Sequence, residues 1–226
     1  MRLTNVRGHY VWTAPLNSDS VVLDAGAHRG EFSSVLYRSF GCRCVLIEAN
    51  PLLSEMLEQL RIGTVFNAAL AGIDGRTKLH LEDNLESSSI IREHGKPMTA
   101  TLDVTTVSLK TVLSRIGSDH IDLLKLDIEG AEFEVINCTP EEVWRKTAQV
   151  SVEFHEGLSD SADGQRFKEA RAKLDRCGFA CGIMSFRTHG DVLFVNQNLL
   201  QLSSWQILYL RVGARIVERA MTLLPR

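Results

Sequence analysis

The sequence predicts an α/β fold built on a mostly parallel sheet. Two observations carry that prediction. Apolar, β-branched runs alternate with polar stretches of helical periodicity along the chain. The first such run, Val21-Val22-Leu23-Asp24-Ala25, passes through the turn Gly26-Ala27-His28-Arg29-Gly30 directly into a helix. With 226 residues, 44% of them hydrophobic and 23% charged, the chain is long enough for one domain around one sizeable core.

Each element has a local reason. Val21–Ala25 reads as the first strand and Gly30–Phe40 as the helix after it, with Phe32, Val35, Leu36 and Phe40 on one face and Gly41 as its stop. Arg43–Glu48 is the second strand. Asn50 caps the next helix and Pro51 suits its first position; Leu52, Leu53, Met56, Leu57 and Leu60 form its apolar stripe. Thr64–Leu70 is the third strand, and Asp74-Gly75 turns the chain into a hairpin strand, Thr77–Leu81. Glu82–Thr101, polar and serine-rich, reads as a loop holding Ser87-Ser88-Ser89. Thr105–Val107 is a short extended piece, and Ser108 caps a helix running to about Ile116. Ile121–Asp127 is the fourth strand, Gly130 opens the helix that follows, and Gln149–Phe154 is the fifth strand. A helix runs from Asp163 to Cys177-Gly178. Phe179–Phe186 and Val192–Asn196 then close the sheet as an antiparallel pair around His189-Gly190. Leu199–Leu224 is a final amphipathic helix whose Arg211, Arg215 and Arg219, spaced by four, share a face suited to a membrane surface, an acidic partner or a second copy in a homo-oligomer.

Bulk properties narrow the function. A net charge of −3 gives no field favouring nucleic acid or anionic membrane. Residues 1–20 are mixed and polar, without the apolar segment of a signal peptide, and no run reaches the ~18 apolar residues of a transmembrane segment. The five cysteines, Cys42, Cys44, Cys138, Cys177 and Cys181, are odd in number and lack a paired zinc spacing. They read as reduced thiols of a cytoplasmic protein.

Four clusters carry chemistry. In Asp24-x-Gly26-x-x-x-Gly30, a carboxylate stands where a dinucleotide fold has the first glycine of G-x-G-x-x-G. It would repel a pyrophosphate and suit an ammonium. S-adenosylmethionine offers an ammonium, a ribose and an adenine without phosphate, so the turn favours it over the NAD(P) of an oxidoreductase or epimerase. Glu48, at the tip of the second strand, can accept both ribose hydroxyls. Lys125-Leu126-Asp127-Ile128-Glu129 ends a strand at the sheet edge where ligands bind, with Lys125, Asp127 and Glu129 alternating onto one side. Asp127 and Lys125 are catalytic candidates: Asp127 can hold the cofactor's amino end or orient an acceptor hydroxyl. His155, after the fifth strand, has an imidazole able to take a hydroxyl proton. Asp127, Glu153 and His155 are oxygen and nitrogen ligands, but no metal is expected.

These residues, taken in order, resemble the FkbM-type S-adenosylmethionine-dependent methyltransferases. The resemblance runs through Val22–Gly30, Ile47-Glu48-Ala49-Asn50-Pro51, Asn67-Ala68-Ala69-Leu70, Val104–Leu109, Leu123–Glu132 and Val152–His155, and covers roughly residues 20–195. It implies the class I methyltransferase, Rossmann-like fold: a three-layer sandwich whose seven-stranded sheet has an antiparallel last strand. It implies that Asp24, Gly26, Ala27, His28 and Gly30 hold the methionine part, that Glu48 takes the ribose, that Asn67 and Ala68 lie by the adenine, and that Ala49 lies beside the cofactor. His28 stands where the family usually has Asn, and Ala49 where it often has Pro. O-methylation of a sugar, glycan, polyketide or related small molecule is the activity the resemblance implies.

Overall fold

The computed structural model describes residues 3–81, 88–89, 100–154, 162–184 and 190–213. The chain opens with a hairpin, β1 (Leu3–Val6) and β2 (His9–Trp12). There follow β3 (Val21–Ala25), α1 (Glu31–Phe40), β4 (Arg43–Glu48), α2 (Pro51–Leu60) and β5 (Gly63–Asn67). A second group holds β6 (Ala69–Leu70), β7 (Gly75–Leu81), β8 (Ser88–Ser89) and β9 (Ala100–Val107). The chain continues with α3 (Leu109–Ile116), β10 (Leu123–Leu126), α4 (Glu132–Cys138), α5 (Glu141–Trp144) and β11 (Gln149–Glu153). It closes with α6 (Ala162–Arg176), β12 (Phe179–Ile183), β13 (Asp191–Asn196), α7 (Ser204–Leu208) and a π-helical turn, Tyr209–Gly213.

The main sheet has seven strands in the order β12-β13-β11-β10-β3-β4-β5. Only β13 runs antiparallel to its neighbours. Alternation along the central strands sends side chains to two layers. Val21, Leu23 and Ala25 join Val112 of α3, Phe133 of α4 and Leu174 of α6 in one core. Val22 and Leu46 join Phe32 and Leu36 of α1 and Leu57 of α2 in the other. This is the expected class I methyltransferase architecture. From β3 the chain winds outward through β4 to β5, then returns to β10 on the other side of β3. That reversal opens a crevice beyond the carboxyl ends of β3 and β10, where ligands of such sheets bind.

The helix signals act as read. Gly30 precedes α1 with φ 72, Gly41 ends it at φ 66, the Asn50 side chain accepts from the Leu52 N–H at 3.0 Å, and the Ser108 hydroxyl accepts from the Thr111 N–H at 3.3 Å. Elsewhere the expectations need correction. Thr64–Leu70 is two strands, because the chain leaves the main sheet at Ala68 and enters a four-stranded one, β6-β9-β7-β8. There β9 pairs with all of β7, from Gly75↔Thr106 to Leu81↔Ala100, so the extended piece starts at Ala100. Gly130 does not open a helix: Glu129 (φ 55) and Gly130 (φ 108) form a turn first, and α4 starts at Glu132. Of the apolar stripe on α2 only Leu53 and Leu57 are buried, while Leu52, Met56 and Leu60 are exposed. All five cysteines are free, and Cys138 alone among them is exposed. Ser87, His155 and residues 185–189 and 214–226, including Arg215 and Arg219, lie outside the described residues.

The N-terminal hairpin has no counterpart in the sequence reading. Its two-residue loop, Arg7-Gly8, has both φ positive (52 and 95), the hand that matches strand twist, and Val6 pairs with His9 across it. The buried amide of Gln149 on β11 clamps the hairpin to the sheet. Its Oε1 accepts from the Trp12 N–H at 2.9 Å, and its Nε2 donates to the Trp12 carbonyl at 3.1 Å. Trp12 then packs with Ala180, Leu193, Val195 and Leu210, so hairpin and C-terminal segment cover β12 and β13 together.

Candidate active site

A cavity of about 330 Å³ lies at the crevice between β3 and β10. The predicted residues Gly26, Ala27, His28, Glu48, Ala49, Ala68, Lys125 and Asp127 line it. Ile47, Leu53, Ala69, Leu70, Leu79 and Ile128 supply an apolar wall, and Arg7, His9, Arg29, Glu31, Phe32 and Glu129 complete it.

Glu48 is set by the βα turn. Its Oε2 accepts the backbone N–H of His28 and its Oε1 that of Asn50, both at 2.8 Å. Each carboxylate oxygen keeps a further lone pair for a hydroxyl. His28 turns its N–H to Glu48 by adopting φ 50, a region in which Asn, Asp and His are over-represented among non-glycine residues. Burial pushes the Glu48 pKa up from 4.5, and the Asn50 and His28 N–H groups pull it part of the way back. A ligand whose hydroxyls donate to the ionised carboxylate should therefore lose affinity as pH falls through a value above 4.5. Calorimetry of S-adenosylhomocysteine between pH 8 and 5 checks this, and Glu48→Gln should flatten the curve. Folding stability carries the opposite sign. The folded state holds this proton more tightly, so Glu48's contribution is present below 4.5 and lost as pH rises through the folded value.

Gly26 is required by a close approach. At φ 74, a Cβ on it would sit 1.8 Å from the Asp127 carbonyl oxygen. Gly30 serves packing instead. A Cβ there would meet Leu57 and Leu60 at 2.7 Å, so this glycine lets α1 pack on α2 and lies off the cavity wall.

Strand register puts Lys125 beside Asp24. The Lys125 Nζ lies 3.2 Å from Asp24 Oδ1 and 3.2 Å from Asp127 Oδ2, and donates to the Gly26 carbonyl at 2.8 Å. Burial alone would push its pKa down; Asp24 and Asp127 outweigh that and hold it above 10.5. Lys125 is a locked cation with no lone pair to act as a base. Asp24 is fully buried, its Oδ2 accepting from Ser33 Oγ at 2.7 Å, and it lies behind the wall. It meets the cavity only through Lys125. Asn67 is likewise off the wall, its Nδ2 donating to the carbonyls of Glu48 (3.2 Å) and Ala49 (3.4 Å) to fix the loop after β4.

The residue that sequence reasoning missed is His9. It is 4% exposed, its Nε2 lies 3.4 Å from Asp127 Oδ2, and its ring stands edge-on to Phe32 at 5.6 Å. His9, Asp127 and Glu153 bring one ligand atom each within 4.8 Å of the others, so His9 joins the two carboxylates that the spacing groups with His155. The signal was present in His9-Tyr10-Val11-Trp12 following Arg7-Gly8, an alternating strand after a turn dipeptide.

A family model described as the methyltransferase FkbM domain matches residues 24–181. The chain is 28% identical over 182 residues to methyltransferase sdnD of Sordaria araneosa, covering 63% of this chain and 69% of that protein. It is 26% identical over 197 residues to methyltransferase 1 of Beauveria bassiana (strain ARSEF 2860), covering 75% and 76%. Among solved structures it is similar to precorrin-6y C5,15-methyltransferase from Geobacter metallireducens GS-15 (TM-score 0.42, 14% identity, 80% of each chain). It is also similar to the N-terminal domain of EvdMO1 with SAH bound (TM-score 0.42, 12% identity, 78% of this chain and 72% of that one).

Proposed function

This chain belongs to the FkbM methyltransferase family and is an S-adenosylmethionine-dependent methyltransferase; we propose that it methylates a hydroxyl oxygen on a sugar, polyketide or related small molecule. The observation that carries this reading is that one cavity is lined by Glu48 together with His9, Lys125 and Asp127.

Donor and cavity fit by chemistry. Glu48 takes the ribose hydroxyls on its remaining lone pairs. The apolar stretch of Ala49, Ala68, Leu70 and Leu79 receives the adenine. The Gly26-Ala27-His28 turn offers backbone to the methionine part, with Gly30 shaping the turn from behind. Asp24 acts on that part indirectly, by fixing Lys125 and through it Asp127. The bound donor supplies a methyl group on a sulfonium. Transfer is an in-line displacement, so most of what the protein contributes is positioning. Asp127 orients the acceptor hydroxyl, and the His9 imidazole takes its proton as the new carbon–oxygen bond forms, with the Asp127 carboxylate 3.4 Å away to stabilise the resulting imidazolium. His155, next to Phe154 in sequence, is the second candidate for that proton.

The test is S-adenosylhomocysteine release from S-adenosylmethionine against a panel of free sugars, glycosides and polyketide alcohols, with amines and thiols as controls. Methylation confined to amines or thiols would refute the hydroxyl reading. With a working acceptor, His9→Ala should lower kcat roughly 100-fold and leave the donor KM in place. If His155→Ala does this and His9→Ala does not, the base is His155.

A further inference from the structure

We propose that the helical segment of residues 204–213 is an interfacial anchor that lays Trp205, Leu208 and Val212, flanked by Arg211, on an anionic lipid surface. The helix α7 and the π-helical turn run on without a break and have two faces. The inner face packs onto the body: Leu210 is fully buried beside Ala180 and Leu193, with Ile207 against the same cluster. The outer face carries Trp205 (79% exposed), Leu208 (50%) and Val212 (47%). Trp205 and Leu208 are three apart, and Val212 follows about one π turn later, so the three make one apolar stripe.

Charge identifies what covers the stripe. Arg211 is exposed beside it. The sequence from 204 to 226 holds Arg211, Arg215, Arg219 and Arg226 against Glu218 alone, a local positive excess in a chain whose total is −3. The whole-chain charge therefore conceals a basic end. A tryptophan with aliphatic neighbours and an arginine flank is the composition of a helix lying in a headgroup layer. A second copy carries the same positive excess around its stripe and supplies no counter-charge for it. No described helix is long and apolar enough to cross a membrane, so the mode is surface binding.

The molecule contains its own reporter. Trp12 and Trp144 are buried, and only Trp205 is exposed among the three tryptophans. The full chain is mixed with vesicles of phosphatidylcholine and phosphatidylglycerol in equal parts, and with phosphatidylcholine vesicles alone. Co-sedimentation and a blue shift of the tryptophan emission are expected with the anionic vesicles, both weakened at high salt. Trp205→Phe should abolish the shift and keep most of the sedimentation. Leu208→Glu with Val212→Glu should abolish sedimentation without changing the melting temperature, since both side chains face outward. Absence of binding to anionic vesicles overturns the proposal. So does a dimer in light scattering that Leu208→Glu splits while vesicles capture nothing, which would give the face to a second copy.

Discussion

Lys125→Met should lower the unfolding free energy by about 3–5 kcal/mol, the range found when one partner of a buried ion pair is removed. The Lys125 ammonium neutralises the fully buried Asp24 and bridges to Asp127 and the Gly26 carbonyl. Methionine fills similar space but leaves the Asp24 carboxylate without a counter-charge. Urea denaturation followed by circular dichroism measures the loss. The double variant Asp24→Asn with Lys125→Met removes both charges and should recover most of it. If the single variant is as stable as the parent, the triad is no structural keystone. Donor affinity in the double variant then separates the charge's effect on folding from its effect on binding. If fixing Asp127 matters to the site, S-adenosylhomocysteine binding stays weak even where stability returns.

Gly26→Ala should raise the Kd for S-adenosylhomocysteine roughly 100-fold, about 2.7 kcal/mol. The methyl would fall 1.8 Å from the Asp127 carbonyl oxygen, which is backbone and cannot swing aside. The ends of β3 and β10 would have to part, moving the Gly26–His28 turn and with it the His28 N–H that holds Glu48. Calorimetry on the folded variant reads the effect, and Gly41→Ala serves as a control. Gly41 also has positive φ, but its nearest neighbour to an added Cβ is the Ser18 Cβ at 3.9 Å. It therefore carries the strain of the left-handed region without the collision. Equal affinities for Gly26→Ala and the parent would mean that the turn does not touch the donor.

The main sheet was legible where its strands are apolar runs ended by a turn or cap signal. The runs Val21–Ala25 and Arg43–Glu48 coincide with β3 and β4. The second sheet was not. Residues 100–101 read as the end of a polar loop and 102–104 as no element, since Thr101 and Asp103 are polar and the segment's strand character comes from pairing with β7, well upstream in the chain. In the site, the chain shows which residues stand near the strand tips but not which side chains reach the wall. Glu48 and Asp24 look equivalent along the sequence. Pleat and register send Asp24 inward to Ser33 and Lys125, and Glu48 into the cavity. His9 was hidden for another reason: its place depends on the tertiary clamp between Gln149 and Trp12, a contact spanning most of the chain.

That clamp has a consequence for how the enzyme can change. Gln149 grips only the amide and carbonyl of residue 12, groups that almost any amino acid presents. The clamp is thus indifferent to the side chain at residue 12, while Val6, His9 and Val11, all buried, hold the flap to its seat by packing. The matched family segment begins later, at residue 24. Arg7 and His9 line the cavity from this flap, so any shift in its seat on β11 is transmitted to the cavity wall.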